Sequence, residues 1–377
     1  MDFSYSEVQQ MLQSQVQKFV RERYDFETRN ALVASEKGYS EEFWKLFAEL
    51  GWLAVPFTEE EGGLGGSAID LMVMMEEFGK ANLVEPYTAN AVLAGTAVAQ
   101  LAEGPGKQDL VNSIMAGERQ LALAYLEPQS RYNPFNVETL AVAEGDIVKI
   151  NGSKTGVLGG AVADQFIVIA RESGETRDRN GLSAFLVDAE AEGVIRRNYP
   201  TVDGKRAAEL EFANLRIATN ARLGIAGEAA TGLQLAVDKA TVSACAEAVG
   251  ALEVLLQKTV EYTKTRKQFG TAIATFQALQ HRMADMFIEC QLARSIVIMA
   301  AMALDSQEGE KEKTRAVSAA KSRLGKAIKV IGQEAIQIHG GIGMTNELDV
   351  GHLFKRVTAL DLQFGDGEYH TERYASL

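Results

Sequence analysis

The hydrophobic period of this sequence changes twice along the chain, and that change limits the possible folds more than any other feature. Up to about residue 120, apolar residues recur at spacings of three and four, as between residues 8 and 20, which is typical of amphipathic helices. Between about 121 and 226, short apolar runs such as 165–170 alternate with Asn-Gly turn signals, which indicates strands. Beyond 227 the helical period returns.

We therefore predict an α+β fold that is mainly α. Its three domains are an N-terminal helical domain (1–120), a small central β-barrel or sandwich (121–226) and a C-terminal four-helix bundle (227–377). A chain of 377 residues is too long for one hydrophobic core, which agrees with this division.

Charge and composition exclude several classes of function. A formal net charge of −13 disfavours nucleic acid and anionic membranes as partners, because clustered Lys and Arg bind both. The longest apolar run, 296–304, is about half the length of a membrane span. The first residues lack a signal peptide pattern, and both cysteines lie in helical patterns, so we expect a cytoplasmic protein. No residue spacing indicates a metal site.

Two segments of the C-terminal domain carry residues suited to a phosphorylated ligand. Residues 262–270 end a helix with Arg266, Lys267 and Gly270, a pattern that simple C-capping also explains. Residues 339–345 place Gly340, Gly341 and further glycine just past a long helix. Glycines let backbone amides approach a phosphate, although a plain helix-terminating turn has the same pattern.

Together and in this order, these segments resemble the acyl-CoA dehydrogenase family over the whole chain. The motifs are EGGLG at 61–65, EEFG at 76–79, RKQFG at 266–270 with FQ at 276–277, and QIHGGIG at 337–343. Within the family, CAEAVG at 245–250 and FKR at 354–356 are most similar to the small subunit of pimeloyl-CoA dehydrogenase.

The resemblance implies that FAD lies at a subunit interface. Arg266 would reach the pyrophosphate of a flavin held largely by the neighbouring subunit, because the guanidinium fork matches phosphate oxygens. The same pocket would be lined by Phe269, Gln277, Gln337, Gly340 and Gly341. The resemblance also implies an acyl-CoA substrate, and an electron-transfer flavoprotein as the redox partner.

The sequence departs from the family pattern where the chain would hold a flavin of its own. Gly156-Val157-Leu158 stands where the family has Trp-x-Thr against the flavin ring. A Thr-Glu-Pro-Gly-x-Gly-Ser loop survives only as Glu127-Pro128, and Thr241 replaces an arginine. Each change removes a polar group that would contact the cofactor.

The catalytic base is also missing from its usual places. The reaction needs a carboxylate to remove the α-proton of the thioester. The Glu-Gly pair of the family aligns with Phe364-Gly365, and the alternative Glu position aligns with Ala240. Asp361, Asp366 and Glu368 lie nearby, and we expect them in a solvated loop.

Glu247 is the substitute base that the sequence offers. It lies seven residues after Ala240, on the same face of a helix and among small apolar residues. A carboxylate there is either paired with a cation or functional. The rise of about 10–11 Å over two turns is large for a base, so we favour pairing and keep catalysis as the alternative.

These observations leave three functions open. The first is a subunit of an acyl-CoA dehydrogenase that assembles with a homologous subunit carrying the base. The second is a self-sufficient homo-oligomer that uses Glu247. The third is a flavin-free structural or binding subunit. A dicarboxylyl-CoA such as pimeloyl-CoA, or a bulky sterol or aromatic thioester, is the expected substrate class, and an oxidase with this fold stays open.

Overall fold

The computed structural model describes residues 5–377. Helices begin where the sequence supplies caps: Ser6, Ser40 and Ser67 each accept a hydrogen bond from the backbone amide three residues later. The helices that precede the sheet are α1 (Glu7–Arg23), α2 (Phe26–Ala34), α3 (Glu41–Glu49), α4 (Ala68–Ala81), a π-helix (Thr88–Ala94), α5 (Gly95–Leu101) and α6 (Pro105–Met115).

The middle of the chain forms an eight-stranded sheet in the order β6-β7-β3-β2-β4-β5-β8, with β1 added alongside β4. Its core is made of inward residues that include Ile150, Phe166, Phe185 and Phe212. The strands are β1 (Leu121–Ala124), β2 (Leu140–Glu144), β3 (Ile147–Leu158), β4 (Gln165–Arg171), β5 (Leu182–Asp188), β6 (Val194–Pro200), β7 (Arg206–Ala218) and β8 (Arg222–Leu223).

Beyond the sheet, the regular elements are helices, apart from one short hairpin. Helix α9 packs against α8, α10 and α11. The elements are α7 (Ala230–Thr265), β9 (Lys267–Gln268), β10 (Thr271–Ala272), α8 (Gln277–Asp305), α9 (Glu310–His339), α10 (Asp349–Leu362) and α11 (Gly367–Ser376).

Two glycines let α4 and α7 cross at close range. A Cβ atom on Gly79 would lie 1.9 Å from the Glu247 carbonyl oxygen, and one on Gly250 would lie 1.9 Å from that of Glu76. Neither position therefore accepts a side chain.

The described residues form two compact units. The helical unit contains residues 5–31, 67–83 and 241–377, and the sheet unit contains 32–66 and 84–240. Two helices, α7 and α8, are long and apolar enough to cross a membrane, but 83% of the apolar stretch of α7 is buried, against 33% for α8.

The predicted fold class is confirmed: helical N-terminal and C-terminal regions flank a β region. The division at 120 and 226 stays a prediction. The sequence did not predict the π-helix or the hairpin after Arg266. Both features span too few residues to produce a period of their own.

Candidate functional site

The first candidate segment is a tight hairpin at the end of α7. The Arg266 carbonyl accepts a hydrogen bond from the Ile273 amide at 2.9 Å, which closes the hairpin. The tip residues Phe269 and Gly270 have φ values of 55° and 81°. The Phe269 side chain is 93% exposed. An exposed aromatic ring on a left-handed backbone is a reason to suspect a binding role.

The second segment lies beside the first. His339, the last residue of α9, stacks on Tyr262 of α7 with ring centroids 4.5 Å apart and planes at 28°. Tyr262 is four residues before Arg266, and His339 directly precedes Gly340. This stack therefore brings the two motifs to the same end of the helical unit. Burial lowers the pKa of His339, so the stacked imidazole is neutral at pH 7.

The two glutamines lie at that end as well. Gln277 is the first residue of α8, and Gln337 lies on the last turn of α9. Both are exposed. An ion pair between Arg282 and Glu334 joins the start of α8 to the end of α9. The structure thus gathers all six residues predicted to contact FAD.

The glycine loop is open to a ligand. Gly340 has φ 65° and ψ −147°, a conformation that suits glycine almost alone. A Cβ atom on Gly340 or Gly341 would meet no described atom within 4 Å. A ligand can therefore approach the backbone of this loop closely.

The donors at this end fit the pyrophosphate of FAD. Arg266 is exposed, and no carboxylate between residues 5 and 377 lies within ion-pair distance of its guanidinium. The unpaired guanidinium, the amides of the glycine loop and two glutamine side chains together make a donor set for phosphate oxygens. An unpaired cation beside open glycines is what an anionic ligand requires.

Glu247 lies elsewhere, in the middle of α7, and it is paired. Its Oε1 accepts a hydrogen bond from Nε of Arg356 at 2.7 Å, and its Oε2 accepts one from Nη2 at 2.7 Å. The Glu247 and Arg356 side chains are 1% and 3% exposed. Because both carboxylate oxygens are occupied, this geometry favours the structural role over the catalytic one.

The turn at Phe364-Gly365, where the resemblance predicts the family's base position, is built around a glycine. Phe364 is buried with φ 63°, and Gly365 has φ 108°. A Cβ atom on Gly365 would lie 2.4 Å from Cδ1 of Tyr369 and 2.9 Å from Nε2 of His370. His370 is also 3.0 Å from the Phe364 carbonyl oxygen and holds the turn. The turn therefore has no room for a longer side chain at Gly365.

The prediction that the neighbouring acids lie in a solvated loop is wrong for Asp361. This residue is on helix α10 and only 7% exposed. Burial raises its pKa, although Lys321 opposes the shift. The fully buried Lys321 donates to the carbonyls of Leu360 and Asp361 at 2.6 and 2.7 Å and so caps α10. Asp366 is the N-cap of α11, and Glu368 is exposed.

The stretch at 156–158 offers no side-chain donor to a flavin ring. Leu158 ends β3 and has no polar side-chain atom. The amide of Gly156 already donates to Oε1 of Glu209 at 3.3 Å. The hydroxyls of Thr155 and Tyr199 donate to the same oxygen at 3.0 Å. The residues at 156–158 therefore do not fit the ring of FAD.

The surviving Glu127 is an internal anchor. It accepts hydrogen bonds from Lys154 at 2.6 Å and from the amides of Glu138 and Thr139 at 2.8 and 3.0 Å. Burial lowers the pKa of Lys154 to about 8, against the attraction of Glu127. Burial alone would raise the pKa of Glu127, but Lys154 and its other donors lower it.

Sequence reasoning missed Lys154, Glu209, Tyr262 and Arg356. The partner that each one contacts is distant in the sequence, and no local pattern identifies such a partner. For Tyr262 and His339 a signal existed, since both sit in the motifs that carry the family resemblance.

Comparison with known proteins places the chain in a family. Three family models match it: acyl-CoA dehydrogenase, N-terminal domain (6–118), middle domain (122–215) and C-terminal domain (234–376). Probable acyl-CoA dehydrogenase YngJ of Bacillus subtilis is 29% identical over 98% of this chain and 97% of its own length. Acyl-CoA dehydrogenase IpdE2 of Mycobacterium tuberculosis is 31% identical over 93% of this chain and 91% of its own.

A solved structure shows the same architecture in an assembly of two different chains. The ChsE4-ChsE5 complex from Mycobacterium tuberculosis contains a chain that is 26% identical to this one. The match covers 100% of this chain and 98% of that chain, with a TM-score of 0.89.

Proposed function

This chain belongs to the acyl-CoA dehydrogenase family, and we propose that it is one subunit of an FAD-dependent enzyme that dehydrogenates an acyl-CoA thioester between its α and β carbons. A homologous sister subunit supplies the catalytic carboxylate and the groups that contact the flavin ring. One observation carries this proposal. The chain keeps the residues suited to a pyrophosphate, namely Arg266, Gly340 and Gly341, but has no carboxylate at positions 240 and 364.

The residues suited to a pyrophosphate would bind the FAD of the sister subunit. Arg266 and the amides of the loop at 340–341 would hold the pyrophosphate of FAD, and the sister subunit would supply the groups that contact its ring. Phe269 at the hairpin tip would contact the cofactor, and Gln277 and Gln337 would donate hydrogen bonds to it from the adjoining helix ends. FAD, when bound, supplies the hydride acceptor. This chain holds and orients the cofactor through contacts that it makes with exposed residues.

The base comes from the sister subunit, because the relevant positions of this chain carry none. Positions 240, 364 and 365 are Ala, Phe and Gly, none of which has a carboxylate. The carboxylate of Glu247 is paired with Arg356. A self-sufficient homo-oligomer would need Glu247 to leave Arg356, which would strand a buried guanidinium. This cost makes it the weaker candidate.

Helix α8 offers a surface for that partner. Five of its large apolar residues are 38–54% exposed: Phe287, Ile288, Leu292, Met299 and Met302. The helix begins at Gln277, one of the residues proposed to contact FAD. The apolar surface of α8 and the proposed FAD contacts would therefore belong to one continuous interface. ChsE4-ChsE5 is named as a complex of two chains, and a similar pairing is part of this proposal.

Substrate and context complete the proposal. The resemblance to the small subunit of pimeloyl-CoA dehydrogenase makes a dicarboxylyl-CoA one candidate substrate. An electron-transfer flavoprotein would reoxidise the enzyme, and the assembly would work in the cytoplasm.

Flavin content and activity test the proposal together. The chain is purified alone and after co-expression with a homologous subunit that carries the family's Glu and Trp-x-Thr. We expect flavin absorbance and acyl-CoA oxidation by ferrocenium in the co-expressed sample only. Equal rates per flavin in both samples would favour the homo-oligomer. A complex that forms without any flavin would favour the structural subunit.

A further inference from the structure

His339 lies between the two segments that are proposed to hold the pyrophosphate of FAD. It is the last residue of α9 and directly precedes Gly340. Its ring stacks on Tyr262, whose carbonyl accepts a hydrogen bond from the Arg266 amide at 2.8 Å, one helical turn later. A ligand that contacts both Arg266 and the glycine loop therefore lies close to the imidazole.

The hydrogen-bonding state of His339 is fixed by its own helix. Nδ1 lies 2.8 Å from the Ala335 carbonyl oxygen, and because a carbonyl can only accept, Nδ1 carries the proton. The neutral imidazole then has its lone pair on Nε2. Stacking on Tyr262, with ring centroids 4.5 Å apart, keeps the ring in this orientation. Nε2 is therefore a preorganised hydrogen-bond acceptor.

This nitrogen is available to a ligand. Among residues 5–377, Nε2 of His339 has no hydrogen-bond partner. It is also not one of the fully buried atoms that lack a partner, so it reaches the surface although the residue as a whole is only 5% exposed. The two charged groups that face the imidazole are Lys258 of α7 and Asp349 of α10. They pair with each other at 2.8 Å, which leaves Nε2 to a ligand.

The chemistry of FAD next to its pyrophosphate requires an acceptor. Arg266 and the amides of Gly340 and Gly341 donate to phosphate oxygens but cannot accept. On one side, the pyrophosphate leads to the flavin ring, which the sister subunit is proposed to contact. On the other side it leads to the adenosine ribose, whose two hydroxyls need acceptors when they lose water.

We propose that Nε2 of His339 accepts a hydrogen bond from a hydroxyl of the adenosine ribose of FAD. The contacts of this chain with the cofactor would then extend beyond the pyrophosphate. Burial lowers the pKa of His339, which agrees with a neutral imidazole acting as an acceptor. This inference rests on the proposed function.

Analogues of FAD that lack one ribose hydroxyl test this contact without changing the protein. The probes are FAD and its 2′-deoxyadenosine and 3′-deoxyadenosine forms. Flavin is removed from the co-expressed assembly, and each probe is titrated back while flavin fluorescence reports binding. One of the two analogues is expected to bind about 3- to 10-fold more weakly than FAD, the effect of one lost neutral hydrogen bond. Equal affinity for all three probes would overturn the inference.

Variants of His339 assign the effect to the imidazole. His339→Phe keeps an aromatic ring on Tyr262 but has no acceptor, so it should bind FAD and the weaker analogue with equal affinity. FAD should bind to this variant about 3- to 10-fold more weakly than to the wild type. His339→Gln, whose side-chain oxygen can take the place of Nε2, should keep part of the preference for FAD. His352→Gln, at a histidine that contacts Arg29 instead, is the control and should keep all of it.

Two results with these variants would overturn the inference alone. A His339→Phe assembly that still prefers FAD over the weaker analogue would show that another residue binds the hydroxyl. Tighter FAD binding at about pH 6 than at about pH 8 by the wild type, but not by His339→Phe, would show that a protonated imidazole contacts a phosphate instead. Failure of the wild-type assembly to bind any of the three probes would overturn the proposed function as well, which distinguishes the two failures.

Discussion

Two charges on or next to helix α7 differ in burial and in pairing: Glu247 lies at the middle of the helix, and Arg266 directly follows its last residue. Glu247 is buried, and Arg356 contacts both of its oxygens. Arg266 is exposed and unpaired among residues 5–377, beside a glycine loop that a ligand can approach. A charge that the fold itself neutralises contributes to the folded state. A charge that the fold leaves unpaired, beside open backbone, is available to a ligand.

Under the proposed function, this contrast explains how a chain without a catalytic base would keep its fold. The family positions at 240 and 364 are occupied by Ala and Phe, which pack without any charge to neutralise. Their substitution leaves the Glu247–Arg356 pair untouched. The residues that serve a ligand can therefore change independently of those that hold the helices together.

The largest expected effect is on stability at the buried pair. Glu247→Gln leaves the Arg356 guanidinium buried without its counter-ion, so it should lower the free energy of unfolding by about 3–5 kcal/mol. Denaturant titration measures it. Glu261→Gln, on the same helix in an exposed pair with Lys264, is the control and should cost less than about 0.5 kcal/mol. A stable Glu247→Gln protein with turnover reduced 10²–10⁴-fold would instead make Glu247 the base.

The second effect is the pH dependence of stability, which tests whether burial keeps a titratable side chain neutral. Burial, with a contribution from Lys321, lowers the pKa of His370 to about 3. Below about pH 6.5, His370 binds a proton in the unfolded chain but stays neutral in the folded chain. The free energy of unfolding therefore falls as pH decreases towards 3. The slope approaches about 1.4 kcal/mol per pH unit.

His370→Gln should flatten that slope, because glutamine has no titrating group. Unfolding curves of both proteins between pH 6.5 and 4.5 make the comparison, with pH 8 as the reference. Parallel pH dependences would show that His370 is protonated in the folded state and that its burial does not govern its charge.

The third effect is on cofactor affinity. Arg266→Ala should weaken FAD binding by about 10- to 100-fold in the assembly, through loss of a charge-assisted contact of about 1.5–3 kcal/mol. The free energy of unfolding of the Arg266→Ala variant should change by less than about 0.5 kcal/mol, because the substitution removes no ion pair within residues 5–377. Equilibrium dialysis of FAD decides, with Lys264→Ala as the control. Equal affinities would reduce Arg266 to a residue that ends a helix.

The smallest expected effect is an increase in FAD affinity. Leu158→Thr restores a hydroxyl at the end of β3, and threonine suits a strand. We expect FAD affinity of the lone chain to rise by about 2- to 10-fold, the worth of one hydrogen bond. Leu158→Val is the matched control, because it has the same shape without the hydroxyl. Identical flavin content in the two variants would show that position 158 does not face the cofactor.

The sequence by itself determined the order of helical and β regions, the capped starts of helices and the ligand motifs around Arg266 and Gly340. Each of these is a local property. Helical and strand periods and caps depend on residues three or four apart, and the motifs are short runs with a fixed chemistry.

Tertiary structure alone decided which charges are neutralised. Arg356 is 109 positions from Glu247, and nothing near either residue indicates the other. Asp361 was expected in a solvated loop but is buried on α10. Among residues 5–377, the buried hydroxyls of Thr88 on the π-helix and Thr96 on α5 have no hydrogen-bond partner, and no sequence period predicts the π-helix. Burial and pairing are set by elements that meet only after the chain has folded, because the free energy of a charge depends on everything packed around it.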